Sequence, residues 1–122
     1  MREIVYSAAR YVASYNEAVD RVARERKYLS TVAGFPLDGS KWFVENAISH
    51  NFAQYFLVDG DRVAGWCDII PNDIPEFSHV GTLGMGLLSE YRGSGWGKKL
   101  LDRTRAHARD VNGLEKVELA VF

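Results

Sequence analysis

The stretch from Gly86 to Leu101, Gly86-Leu87-Leu88-Ser89-Glu90-Tyr91-Arg92-Gly93-Ser94-Gly95-Trp96-Gly97-Lys98-Lys99-Leu100-Leu101, constrains this chain more than any other. An apolar run stops at Ser89, glycines follow at the alternate positions 93, 95 and 97, and a helical pattern begins. Strand, glycine loop and helix start define a local geometry. Glycine lets the backbone approach a ligand closely and adopt positive φ. The first N–H groups of a helix lack partners inside it and point back into the loop. With the helix dipole they make a site for anions, phosphate above all. Arg92 and Lys98 add mobile positive charge on either side. A glycine-rich turn that merely joins a strand to a helix is the plainer alternative.

A chain of 122 residues, 47% hydrophobic and 25% charged, has the length of one soluble domain, 1–122. Such a chain buries roughly two-thirds of its unfolded surface, enough for one core. The formal net charge of −1 argues against a nucleic-acid or membrane-surface protein, whose footprint would be basic. The one cysteine, Cys67, excludes an internal disulfide and points to a reducing compartment. Residues 1–6 lack the apolar core of a signal peptide, and no apolar stretch reaches the ~20 residues that span a bilayer. The cytoplasm is the expected location.

Residues 2–8 read as a first strand. Ser14 with Glu17 forms a capping box that opens a helix burying Ala18, Val19, Val22, Ala23 and Leu29 on one face. Gly34-Phe35-Pro36 and Asp38-Gly39 read as a loop, and Trp42, Phe43, Ala47 and Ile48 mark a second helix ending near His50. Residues 54–58 and 62–70 are strands joined by the hairpin signal Asp59-Gly60-Asp61. An irregular acidic loop, 71–76, leads to a fourth strand from His79 to Leu88. Leu100, Leu101, Thr104, Ala108 and Val111 stripe a third helix that Asn112-Gly113 ends. Residues 115–122 form a fifth strand. The order β-α-α-β-β-β-α-β predicts an α/β sandwich with a mixed, mostly antiparallel sheet, parallel only where a helix links the last two strands.

Spacing separates the phosphate loops. In a P-loop the first glycine would fall at Arg92, and Lys99 stands where a hydroxyl is needed. The dinucleotide fingerprint Gly-x-Gly-x-x-Gly does not match glycines spaced two and two. Arg-x-x-Gly-x-Gly does fit, as Arg92-Gly93-Ser94-Gly95-Trp96-Gly97 directly after a strand and opening a helix. In this motif, and in its element order, the chain resembles the GNAT N-acetyltransferase superfamily over essentially its whole length.

The resemblance implies acetyl-coenzyme A as cosubstrate, its pyrophosphate held by Arg92, Gly93, Ser94, Gly95, Trp96, Gly97 and Lys98. It implies a bulged fourth strand offering the backbone of Met85, Gly86 and Leu87 to the pantetheine arm. The Leu87 N–H would then stabilise the thioester oxygen as charge develops. Ser89 stands where the family often has proline. The implied reaction is attack by a primary amine, of a small molecule or peptide, on the thioester. Such an amine is mostly protonated at neutral pH, so a base is needed. Asp68, His79 and Glu118 are the candidates. Their plainer readings are a turn cap for Asp68 and a solvated face for the other two. His50 and His107 read as structural, and no metal is expected. The family's amine pocket usually involves the segment between the first two helices, here Tyr28 to Asp38 with Phe35 and nearby Trp42. Acidic Asp68, Asp73 and Glu76 would favour a cation there.

Family members usually continue past the fifth strand with elements carrying a cofactor-binding Asn and a proton-donating Tyr, and Phe122 precedes both. The fifth strand's apolar edge is therefore expected to be covered, in a homodimer. The leading expectation is an acetyl-coenzyme A-dependent N-acetyltransferase. Its rivals are a catalytically weak or inactive domain that binds coenzyme A or a partner, and a structural domain with no cofactor.

Overall fold

The computed structural model describes residues 1–25, 36–72 and 79–119, with the side chains of residues 118 and 119 left aside. Five strands form one sheet in sequence order: β1 Arg2–Tyr6, β2 Ala53–Asp59, β3 Arg62–Pro71, β4 Val80–Leu87 and β5 Lys116–Leu119. The pairs β1–β2, β2–β3 and β3–β4 are antiparallel, and β4–β5 is parallel. The helices are α1 Val12–Glu25, α2 Leu37–Ser49 and α3 Trp96–Asp110. Short 3-10 turns at Ala9–Tyr11 and Ser89–Tyr91 precede α1 and the glycine loop. The expected element order and the single parallel pair are both present. Leu29, Phe35, Asp73, Glu76 and most of the Tyr28–Asp38 segment lie outside the described residues.

Strand alternation assigns the helices to opposite faces of the sheet. Tyr15 of α1 stacks on Phe56 (centroids 5.0 Å apart) and meets Trp66 edge-on at 6.0 Å. On the other face, Tyr55 Oη and His107 Nδ1 of α3 lie 2.9 Å apart, and the two rings meet edge-on at 5.6 Å. Between these layers Phe56, Leu57, Val58, Ile69 and Leu100 are fully buried. Among the described residues no helix is long and apolar enough to cross a membrane.

Three local expectations are corrected. Ser14 does not cap a helix; it lies inside α1 and its hydroxyl accepts from Val63 N at 2.7 Å. The cause is a bulge, since the register jumps from Leu57↔Gly65 to Val58↔Val63. An amide freed from the ladder needs a partner, and Ser14 supplies it. Second, Asp38-Gly39 is not a loop, because α2 starts at Leu37 behind Pro36. Glycine inside a helix costs about 1 kcal/mol, but here burial of Ser40, Val44 and Ala47 and Asp38 at the positive helix end offset it. Third, β1 ends at Tyr6, and Val111 lies past α3, 54% exposed.

Candidate acyl-donor and acceptor site

The glycine loop takes the form its composition requires. Gly93 and Gly95 have φ of +78° and +86°, and Gly95 is the residue preceding α3. A Cβ at either would meet nothing within 4 Å, so these glycines are needed for conformation and the mouth of the loop is open. No side chain caps α3, and its first internal bond is Lys99 N to Gly95 O at 3.3 Å. The N–H groups of Trp96, Gly97 and Lys98 therefore face the loop. Gly97 serves a different need: a Cβ there would lie 3.3 Å from Leu87 Cδ1 and 3.5 Å from Met85 Cε. Its absence lets α3 start directly against β4.

The loop's basic groups are less free than the sequence suggests. Arg92 donates through Nε and Nη2 to the Leu87 carbonyl at 3.1 and 2.7 Å and pairs with Glu25 of α1. Its charge ties the loop to the end of β4 and to α1 instead of reaching into the mouth. Lys98 pairs with Asp102 one turn on, at 2.9 Å. Both groups are exposed, and such a pair is weak enough to yield to an anion. Lys99 sits over the Trp96 ring at 4.7 Å. Ser94 donates to the Tyr91 carbonyl at 3.2 Å, and Tyr91 donates to Asp59 at 2.9 Å, anchoring the loop base to the β2–β3 turn.

The backbone of β4 opens beside this loop. Bonds from Asn72 N to Val80 O (2.9 Å) and from Leu88 N to Ala64 O (2.8 Å) fix the ladder parity. Antiparallel pairing alternates, so Val80, Thr82, Gly84 and Gly86 direct their backbone groups at β3. Gly81, Leu83, Met85 and Leu87 direct theirs towards β5. The described β5 pairing covers only Val80–Leu83. Among the described residues, the Met85 backbone and the Leu87 N–H thus face the open side, next to the α3 N-terminus.

On the α1 face, the glycines of β4 make room for β3 side chains. A Cβ at Gly86 would lie 2.4 Å from the Trp66 ring, and one at Gly84 would lie 3.0 Å from Asp68 Oδ1. Asp68 is not a turn cap. It sits within β3, 7% exposed, and burial pushes its carboxyl up to about 7, with the Gln54 side chain pulling the other way. Two pairs further along, on the same face, Ile70↔Thr82 floors a groove of about 560 Å³ walled by Trp42, Asn46, His50, Phe52 and Pro71.

The other candidates stand apart. His79 is exposed and precedes β4, with its carbonyl accepting from Glu115 N at 2.9 Å. At ~3.3 Å per residue it is roughly 20 Å from Met85. The Glu118 backbone pairs with Thr82, and its side chain lies outside the described residues. The two histidines expected to be structural differ in setting, His107 packing between α3 and the sheet and His50 lying exposed at the rim of the groove. His107 binds Tyr55 and the Asn51 carbonyl, and His50 stacks on Phe52 at 5.1 Å. Sequence reasoning missed Gln54 and Trp66. A polar residue at an inward position of the run Gln54-Tyr55-Phe56-Leu57-Val58 was the available signal for the first.

Solved structures share this architecture. The acetyltransferase of GNAT family from Streptococcus pneumoniae matches with TM-score 0.89 at 20% identity, covering 99% of this chain and 74% of that one. The ribosomal-protein-alanine N-acetyltransferase from Brucella melitensis matches with TM-score 0.86 at 17% identity, over 98% and 74%. A GNAT superfamily phosphinothricin acetyltransferase from Sinorhizobium meliloti, in complex with acetyl-coenzyme A, matches with TM-score 0.76 at 14% identity, over 84% and 57%. These likenesses define a GNAT fold. No curated protein matches the sequence. The profile of the Acetyltransferase (GNAT) family matches residues 15–122. The chain belongs to the GNAT acetyltransferase family, a family of acetyl-coenzyme A-dependent acyltransferases.

Proposed function

We propose that the chain transfers an acetyl group from acetyl-coenzyme A to a primary amine. The observation that carries this reading is the continuity of two features among the described residues: unpaired N–H groups at the start of α3, and the open backbone of Met85 and Leu87 directly beside them. The first suits a pyrophosphate. The second suits an extended amide-bearing arm laid along a strand edge, with Gly86 and Leu87 under the thioester. A neighbour of the same fold solved with acetyl-coenzyme A supports the same ligand here.

In the reaction, the amine nitrogen bonds the acetyl carbon, the carbon–sulfur bond breaks, and coenzyme A leaves as the thiol. The Leu87 N–H is the donor we assign to the oxygen that gains charge. The amine's proton passes to Asp68, whose carboxyl near 7 is matched to neutral pH. An acceptor seated on Ile70 and Thr82 would present its nitrogen two cross-strand pairs from Asp68, on the same face. The acceptor is a small amine or a peptide amine. The cytoplasm is the proposed compartment, and the outer edge of β5 is the proposed contact of a homodimer, checked by light scattering.

The test is thiol release with a panel of amines. Asp68→Asn is expected to lower kcat/KM by about 10²–10⁴-fold with acetyl-coenzyme A affinity unchanged. Glu118→Gln and His79→Gln serve as comparisons. Wild-type turnover in Asp68→Asn removes Asp68 as the base, and binding without thiol release with any amine leaves only a coenzyme A-binding domain.

A further inference from the structure

We propose that Gln54 is a positioning residue that holds the Asp68 carboxyl against Gly84, one residue before Met85, whose backbone faces away from β3. The proposal rests on the transferase reading only for the role of Asp68 as base.

A single cross-strand row carries it. Ser7 N donates to Gln54 O at 3.0 Å, extending the β1–β2 ladder by one pair. Gln54 lies opposite Asp68, and Asp68 opposite Gly84. Phe56 and Trp66 head the neighbouring row on the same face, and that row is apolar. The polar row is therefore an interruption of the core beneath α1, with Ser7, Gln54 and Asp68 only 4, 0 and 7% exposed.

Buried amides are nearly always hydrogen-bonded. Among the described residues, Gln54 nonetheless has no hydrogen-bond partner for either amide atom, and the Ser7 hydroxyl has none either. A leucine or methionine would fill the same space without that penalty. What the amide offers instead is its place directly across the β2–β3 pair from the buried carboxyl, where an amide donor favours the charged form of Asp68. Gly84 completes the arrangement, because a Cβ there would press on Asp68 Oδ1 at 3.0 Å. The other titratable groups that sense Asp68 are Tyr15 from α1 and its chain neighbour Cys67. Burial raises both, and the Asp68 charge raises them further. From β4 the row presents only Gly84.

The experiment is a carboxyl-carbon NMR titration of the full chain labelled at aspartate, with Asp68 assigned through Asp68→Asn. Gln54→Met, of similar size and without the donor, is expected to raise the Asp68 midpoint by about half a pH unit or more. The acidic limb of kcat/KM should move with it, while acetyl-coenzyme A affinity stays the same. Gln54→Glu places a second carboxyl in the row and is expected to raise the midpoint by more than about one unit. If Gln54→Met does not fold, Gln54→Glu decides. An unmoved midpoint in either folded variant overturns the proposal. So does a kinetic limb that stays put when the midpoint moves. A chain that shows the NMR shift but transfers no acetyl group contradicts the transferase reading and leaves the positioning of Asp68 by Gln54 standing.

Discussion

At the residue scale, burial and charge make separable claims. Asp68 holds its proton to about pH 7 when folded and to about 3.9 when unfolded. Between those values the folded chain binds a proton that the unfolded chain has released. The stability from this group is thus full below about pH 4 and is lost as pH rises through about 7. Urea unfolding of wild type and Asp68→Asn should diverge across that window, by up to about 1.4 kcal/mol per pH unit, with the variant relatively more stable at high pH. Parallel curves would contradict the buried carboxyl. Cys67, pushed up to about 12 mainly by burial, should resist iodoacetamide at pH 8 until the chain is unfolded. Arg92→Ala removes the charged donors on the Leu87 carbonyl and should cost about 1.5–3 kcal/mol. Lysine, a point charge without the fork, should not restore it.

At the element scale, the glycines around β4 and the loop differ in what they tolerate. Gly86→Ala would drive a Cβ into the Trp66 ring, and Gly97→Ala would only crowd flexible Leu87 and Met85 tips. Thermal melts should rank Gly86→Ala as clearly the more damaging. Gly95→Ala meets no atom but must hold φ near +86°, a strain of roughly 1–2 kcal/mol. The loop was legible because strand, alternating glycines and helix start are all local signals. Ser14 was misread because its use depends on a bulge in strands far along the chain, which releases Val63 N. Gly39 was misread because a breaker signal says nothing about the packing of Ser40, Val44 and Ala47 that outweighs it.

At the scale of the whole molecule, the order of elements and the one parallel pair followed from alternation and connection length. The site followed less completely. Three carboxylate or imidazole candidates looked equivalent in sequence, and only the sheet register separates buried Asp68 beside Gly84 from exposed His79 at the far end of β4. Arg92 carried the right charge for a phosphate, but the fold spends its donors on Leu87 and Glu25. The central claim is therefore that backbone N–H groups at the start of α3 hold the pyrophosphate. Calorimetry with acetyl-coenzyme A on wild type and Ser94→Glu tests it most directly, since Ser94 is exposed at the loop mouth. A carboxylate ahead of a helix stabilises it while repelling an anion at the same place. We predict one-to-one binding by wild type and at least about tenfold weaker binding by Ser94→Glu, roughly 1.4 kcal/mol, with an equal or higher melting temperature. No binding by wild type, or equal affinity in the variant, would contradict the account.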